Sequence, residues 1–226
     1  MKTVRRIFLP AIHYANSSYG VVESLAGLVR DLAKAMYLAA IQLYTRLFCV
    51  ERAIPSSISL GARLDVVPRA AGHERHQLSL GKHSLIETSS VICTWHGDVT
   101  LKDGAIVGIG SVVIGPVQLG ENAACSQHCF IGGQSHHYED ISKNFLRQGF
   151  ETKEVIIQHD VWIGSNSVIL CGVKIGNNSV IGGGSVVTED IPPYCVAVGN
   201  PARVIKKYDF KTSQWVRVQG PSAAKS

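Results

Sequence analysis

Aliphatic residues recur at every sixth position in three series between residues 80 and 187. Six is a multiple of the two-residue period of a strand but not of the 3.6-residue period of a helix, so each step predicts a short strand. A short series comprises Leu80, Ile86 and Ile92; a second comprises Leu101, Val107, Val113, Leu119, Cys125 and Ile131; a third comprises Ile157, Ile163, Ile169, Ile175, Ile181 and Val187.

A small or β-branched residue follows most of these positions by four, and glycine often follows them directly. A chain that turns a corner every six residues would point the aliphatic residue inward and place the small residue near a corner. The spacing therefore predicts a parallel β-helix of about five coils, with a start near Ile58.

The second and third series are out of phase, because the step from Ile131 to Ile157 is not a multiple of six. The segment between them, about residues 133–154, is polar, charged and rich in histidine. A long excursion from a regular solenoid is more often functional than accidental.

The N-terminal part has a different pattern. Residues 23–50 place apolar side chains at helical spacing and predict an amphipathic helix. Its longest uncharged stretch lies between Lys34 and Arg46, which is too short for a transmembrane span. Two interpretations stay open: the helix packs on the main domain or a partner subunit, or it rests as a basic helix on the inner membrane surface.

These patterns divide the chain into a helical appendage (1–57), a β-helix domain (58–207) and a C-terminal tail (208–226). The net charge of +5 belongs mostly to the appendage, and no nucleic-acid-binding signature is present. Six cysteines without C-x-x-C pairs or a signal peptide predict reduced thiols in a cytoplasmic protein, with an association at the inner face of the membrane left open.

The last third of the chain carries three segments that are specific as a set: "DVWIG", "GGGSVVTEDIPP" and "GNPARVIKK". Together they resemble the hexapeptide acyltransferases, which include galactoside, maltose, nodulation-factor, xenobiotic and polysaccharide O-acetyltransferases. The resemblance is tight over 155–207 and looser over 80–207. It implies a left-handed β-helix, a homotrimer, and acetyl transfer from acetyl-CoA to a hydroxyl or amine, often on a sugar.

The resemblance also assigns roles to residues. It implies that a histidine of the excursion is the general base, and His136 is the candidate, with the adjacent His137 as the competitor. Glu139, Asp140 and Glu151 are the open choices for a group that orients the imidazole.

For acetyl-CoA, the resemblance places contacts on the last coils and the segment after them. Small residues there would let the pantetheine arm approach the backbone, and basic residues would pair with its phosphates. The candidates are Ser165, Gly183, Thr188, Arg203, Lys206 and Lys207.

The remaining histidines have lower priority. His73, His76, His83, His96 and His159 show no partner pattern in the sequence. The run Cys125, His128 and Cys129 has a zinc-like spacing, but both cysteines occupy inward repeat positions, so core packing is the favoured interpretation and no metal is expected.

The sequence thus predicts an acetyl-CoA-dependent O-acetyltransferase acting on a saccharide, with a unit of a surface polysaccharide as the expected acceptor. The alternatives are a non-catalytic trimeric scaffold or membrane-docked partner, and a β-helix zinc carbonic anhydrase. The latter needs histidine pairs on the coils that this chain lacks. The identity of the acceptor, and O- versus N-acetylation, stay open.

Overall fold

The computed structural model describes residues 26–33, 35–37, 39–40, 43, 50–66 and 76–218. The chain divides into two compact units, Met1–Tyr44 and Thr45–Ser226. The described residues between 26 and 43 are helical, in agreement with most of the helix predicted over 23–50. The predicted C-terminal end is wrong, because Val50 begins a strand. No helix among the described residues is long and apolar enough to cross a membrane.

The second unit is a β-helix in which each coil contributes three short strands. The first three coils contain β1 (Val50–Arg52), β2 (Ser57–Ile58) and β3 (Arg63–Asp65); β4 (Leu78–Leu80), β5 (Leu85–Ile86) and β6 (Val91–Cys93); and β7 (Val99–Leu101), β8 (Ile106–Val107) and β9 (Val112–Ile114).

A long excursion separates the next coil from the last two. The fourth coil contains β10 (Val117–Leu119), β11 (Ala124–Cys125) and β12 (Phe130–Gly132), and the excursion contains β13 (Gln134–His136), a 3₁₀ helix (Phe145–Arg147) and β14 (Phe150–Thr152). The last two coils contain β15 (Val155–Ile157), β16 (Trp162–Ile163) and β17 (Val168–Ile169), then β18 (Lys174–Ile175), β19 (Val180–Ile181) and β20 (Val186–Val187).

Strands from successive coils pair in parallel and form three sheets. Sheet 1 has the order β1-β4-β7-β10-β15-β18, sheet 2 begins β2-β5-β8-β11-β16-β19, and sheet 3 runs β3-β6-β9-β12-β17-β20. The inward ladder of sheet 2 joins Ile86, Val107, Cys125, Ile163 and Ile181, which are all buried. The six-residue series of the sequence is therefore the core of the prism, stacked side chain on side chain.

The described residues contain six coils rather than about five, because the first begins at Val50. Glu51 pairs with Ser79, and Arg52 stands opposite Leu80 at an inward register position. Arg52 donates hydrogen bonds to the hydroxyl and carbonyl oxygens of Ser56. The predicted start near Ile58 lies in β2 of this coil, and the charged residue at the inward position hides only the first strand, β1, from a pattern based on aliphatic residues.

The segment after the last coil adds three strands to the edge of sheet 2. β21 (Cys195–Gly199) pairs in parallel with β19, and β22 (Ala202–Asp209) and β23 (Gln214–Arg217) follow as antiparallel neighbours. Regular structure therefore continues beyond residue 207, the end of the repeat-based domain, as far as Arg217.

Candidate active site

The edge between sheet 3 and sheet 1, here called the third corner, is where the coils depart from regular spacing. Ile92 and Leu101 are further apart than one six-residue step, and the excursion lengthens the same corner two coils later. Leu119 pairs with Leu101 of the previous coil and with Ile157 of the next, although the whole excursion lies between Leu119 and Ile157 in the sequence. The phase change in the sequence is therefore an insertion at this corner.

Each lengthened third corner carries a histidine. His76 precedes β4, His96 lies between β6 and β7, and His136 ends β13. The three residues come from the corners after the first, second and fourth coils, so the fold collects on one edge side chains that are distant in the sequence.

The third corner of the third coil is short, and glycines bring the corner loops of the second and fourth coils close to it. A Cβ on Gly97 would lie 2.6 Å from the ring atoms of Pro116, and a Cβ on Gly115 would meet Gly97 backbone atoms. Gly133 is packed against Pro116 in the same way from the other side. These glycines recur once per coil and let the loops of the second and fourth coils meet across the third.

The meeting point is the ring of Phe150. Its centroid lies 4.7 Å from that of His96 and 6.2 Å from that of His136, both with edge-on geometry. Phe150 stands opposite His136 in the antiparallel pair β13–β14, and Phe145 contacts His136 from the 3₁₀ helix with a centroid distance of 5.8 Å. Two aromatic rings thus hold the exposed imidazole of His136 beside the prism.

His96 has the more perturbed environment of the two imidazoles. Burial lowers the pKa of His96, and the neighbouring His136 and His76 lower it further. His76 lies with Nδ1 3.7 Å from Oδ1 of Asp98. No partner for His76 or His96 could be assigned from the sequence, and the structure corrects this: both belong to the cluster around Phe150 and Asp98. Gly97, Gly115 and Gly133 are evenly spaced in the sequence, and this spacing is the signal that could have shown that the corner loops meet.

None of the three carboxylates proposed to orient the base contacts His136 within the described residues. Glu139 lies 4.0 Å from Nδ1 of His137, Asp140 pairs with Lys143 at 2.7 Å, and Glu151 pairs with Lys153 at 2.7 Å. Ring contacts rather than a carboxylate position the imidazole of His136 in this part of the chain.

The candidate pantetheine residues lie together on the corner between sheets 2 and 3. The hydroxyl of Ser165 donates to Oε1 of Gln127 at 3.0 Å, and the backbone N–H of Gly184 donates to the carbonyl of Ser165 at 2.8 Å. A Cβ on Gly183 would lie 3.1 Å from that carbonyl oxygen. Ser165 and Gly183 are therefore close neighbours on the last two coils.

The basic candidates do not form a single patch. A register shift between Val196 and Ala197 interrupts the alternation along β22. Arg203 and Lys206 stand opposite the half-buried Val198 and Val196, whereas Lys207 stands opposite the buried Cys195. Arg203 lies 3.6 Å from Oε1 of Glu189, an exposed residue next to Thr188 at the end of the last coil. Thr188 is itself exposed.

The zinc-like run is part of the core. Cys125 and Cys129 are buried, whereas His128 is exposed in a corner turn with a φ of 57°. The hydrogen bond with Cys129, together with burial, raises the pKa of the Cys125 thiol. The described residues contain no group of three histidine, cysteine or acidic side chains arranged to hold a metal ion.

Comparison with known proteins confirms the predicted resemblance. Residues 154–189 match the model of the bacterial transferase hexapeptide (six repeats). The chain is 44% identical over 101 residues to the galactoside O-acetyltransferase of Escherichia coli K12, covering 44% of this chain and 48% of the relative. It is 30% identical over 148 residues to a probable acetyltransferase of Mycobacterium tuberculosis, covering 65% and 48%. The chain thus spans about half the length of these curated relatives.

The fold also has a counterpart among solved structures. AntD, an N-acyltransferase from Bacillus cereus solved with dTDP and 3-hydroxybutyryl-CoA, aligns with a TM-score of 0.61 and 20% identity, covering 76% of this chain and 90% of AntD. The predicted fold class, a left-handed parallel β-helix built from hexapeptide repeats, is confirmed.

Proposed function

We propose that this chain, which carries the bacterial transferase hexapeptide repeat, transfers an acetyl group from acetyl-CoA to a hydroxyl or amine of a saccharide. The observation that carries the proposal is the position of His136. Its exposed imidazole ends β13 and is fixed by Phe145 and Phe150 at the corner where the repeat is interrupted. The names of the relatives, which are acetyltransferases, support the same chemistry.

In the proposed reaction His136 acts as the general base. Its unprotonated ring nitrogen accepts the proton of the acceptor hydroxyl as the oxygen attacks the thioester carbonyl carbon. The new C–O bond forms, the C–S bond breaks, and the imidazolium returns the proton to the departing thiolate. Because a thioester is already activated, no acyl-enzyme is needed, and positioning supplies much of the rate.

Ser165 and Gly183 are the proposed surface for the pantetheine arm, with Thr188 beside it on the last coil. Arg203, Lys206 and Lys207 would provide positive charge for the phosphates. Residues 202–218 contain five Lys or Arg and one Asp, which supports an anion near this segment. Arg203 would exchange its exposed contact with Glu189 for a phosphate.

The outer surface of the prism supports a homotrimer. Sheet 1 presents mainly polar side chains, with Ile156 as an exception, whereas sheets 2 and 3 present mainly apolar ones. Three prisms around an axis would let each protomer cover both apolar faces with its two neighbours. The outward residues include Ser79, Thr100, Gln118 and Lys174 on sheet 1; Leu85, Ile106, Trp162 and Val180 on sheet 2; and Val112, Phe130, Val168 and Val186 on sheet 3.

A unit of a surface polysaccharide is the proposed acceptor, and the cytoplasm, with contact of residues 23–50 at the inner membrane face, is the proposed location. A lipid-linked saccharide acceptor would account for both features, because a basic amphipathic helix would hold the enzyme at the membrane that carries the acceptor.

Release of free thiol from acetyl-CoA in the presence of candidate saccharides tests the activity. His136→Ala should lower kcat about 10²- to 10⁴-fold, the usual contribution of a general base. His137→Ala, the matched neighbour, should retain most of the rate. Unchanged turnover in His136→Ala would remove the assigned base, and a protein that fails to bind CoA in calorimetry would favour the non-catalytic scaffold.

A further inference from the structure

Trp95 and His96 form a second feature of the third corner that the proposed reaction does not yet use. They occupy the lengthened corner of the second coil, which reaches the excursion through the contact between His96 and Phe150 at 4.7 Å. Trp95 is 65% exposed although it is one of only three tryptophans in the chain. A large exposed indole next to His96 in the chain is unusual for a side chain of this size.

The chemistry of His96 suits hydrogen bonding to a hydroxyl. A neutral imidazole has one N–H donor and one acceptor nitrogen, whereas an imidazolium can only donate. Burial and two neighbouring imidazoles, His136 and His76, hold the pKa of His96 below its usual value, which maintains the neutral form. The residue has no hydrogen-bond partner among the described residues, so both ring nitrogens are open to a ligand.

The position of His96 relative to the proposed base, His136, is the second observation. His96 and His136 contact the same Phe150 ring, and the charge of one is felt by the other. A pyranose that offers one hydroxyl to His136 would therefore have its other hydroxyls within the same small region. The indole face of Trp95, adjacent in the chain, provides an apolar surface of the kind that covers the C–H face of a sugar ring.

We propose that His96 is a substrate-binding residue that hydrogen-bonds a second hydroxyl of a pyranose acceptor, with Trp95 packed against the sugar ring. This inference rests on the proposed function, since it names the acceptor side of the same site. It assigns the substrate class as a sugar with at least two free hydroxyls on one side, rather than a simple alcohol or an aromatic amine.

The kinetic test uses methyl β-galactopyranoside and its monodeoxy analogues as acceptors. His96→Ala should raise KM for the galactoside about tenfold and leave KM for acetyl-CoA within twofold, because a single hydrogen bond to the acceptor is lost. His96→Gln, which keeps a donor and an acceptor, should recover much of the loss. His83→Ala, an exposed turn residue of the same coil, is the matched control.

The deoxy analogues distinguish the loss of a direct hydrogen bond between His96 and the sugar from a structural effect of the His96→Ala substitution. One analogue should lower wild-type kcat/KM about tenfold and cause no further loss in His96→Ala, since the two changes remove the same hydrogen bond. Equal losses in both proteins, or an unchanged acceptor KM in His96→Ala, would overturn the inference while leaving the acetyltransferase activity intact.

A binding measurement that does not depend on turnover tests the inference even if the wild-type chain releases no thiol. The Cε1–H NMR signal of His96, assigned by its loss in His96→Gln, should shift when the galactoside is added to the full chain. Absence of a shift at saturating sugar would overturn the inference. Absence of thiol release by the wild type with a shifted signal would instead contradict the proposed reaction.

Discussion

His96 and His136 are joined through one side chain: both imidazoles contact the ring of Phe150, at centroid distances of 4.7 and 6.2 Å. Phe150 belongs to the excursion, His96 to the second coil, and the short corner of the third coil lies between them. The ring therefore ties the loop that carries the proposed base to the rigid prism. Its effect should appear in the chemistry more than in stability, because Phe150 is 46% exposed.

Replacement of Phe150 tests this connection. Phe150→Leu keeps an apolar side chain but removes the flat ring edges, so the imidazole of His136 should sample more orientations. We expect kcat to fall about 10- to 100-fold, since small misplacements of a catalytic group are costly. The rate of thiol release at saturating acetyl-CoA is the measurement.

Phe210→Leu is the matched control, because Phe210 is an exposed aromatic residue that contacts Tyr194 and Tyr208 in the C-terminal strands. Its kcat should stay near that of the wild type. A Phe150→Leu protein with wild-type kcat would show that the ring does not position the base.

Assembly gives a second prediction. Phe130 points outward from sheet 3 and Gln118 from sheet 1, and both are in the middle of the prism. Phe130→Lys places a charge on a proposed apolar interface and should convert the proposed trimer into monomers, because an unpaired buried charge is strongly unfavourable. Sedimentation equilibrium measures the mass.

Gln118→Lys introduces the same charge on the polar face and should leave the proposed trimer intact. Activity should fall with assembly in the Phe130→Lys protein if neighbouring protomers share the active site. A wild-type chain that sediments as a monomer, or a trimer that persists in Phe130→Lys, would contradict the assignment of the apolar faces.

The six-residue repeat made the fold predictable from the sequence, whereas the contacts at the corners were not predictable. Periodicity depends on inward side chains, so Ile163 and Ile181 could be placed in register from the sequence alone. Arg52 interrupts the pattern at an inward position, so the sequence predicts a start near Ile58 and not at the first strand of the first coil. Side chains at corners obey no period, and the contact of His96 with the excursion depends on backbone approach at Gly97 and Gly115.

The candidate site was predictable only in part, for the same reason. His136 could be named because it lies in the segment that breaks the phase. Its neighbours Phe145 and Phe150 lie within the excursion, where neither a helix nor a strand pattern guides placement. The candidate carboxylates were equally accessible to sequence reasoning, and the structure pairs Asp140 and Glu151 with lysines instead.

A third prediction compares two isoleucines that alternation places on opposite sides of the wall. Ile163 is fully buried in sheet 2, whereas Ile156 points outward from sheet 1. Ile163→Ala should lower the free energy of unfolding by about 2–5 kcal/mol, because it leaves a cavity in a closely packed core. Equilibrium urea unfolding measures the difference.

Ile156→Ala removes the same atoms from a half-buried position and should cost clearly less than Ile163→Ala. Equal losses would mean that the inward register is not the basis of stability. A larger loss for Ile156→Ala would show that the outer face of sheet 1 is covered by another surface in solution.

The last prediction follows from the environment of His96. Burial and the nearby imidazoles of His136 and His76 lower the pKa of His96 in the folded chain, and the carboxylate of Asp98, at the same corner, lies beside His76. Below about pH 6.5, the ordinary histidine pKa, the unfolded chain then binds more protons than the folded one, so stability falls on acidification through this window. His96→Gln should therefore lose less stability than the wild type between pH 7.5 and 5.5, as measured by urea unfolding at both values. His83→Gln should behave like the wild type, and an equal loss in the His96→Gln protein would show that His96 titrates as it does in the unfolded chain.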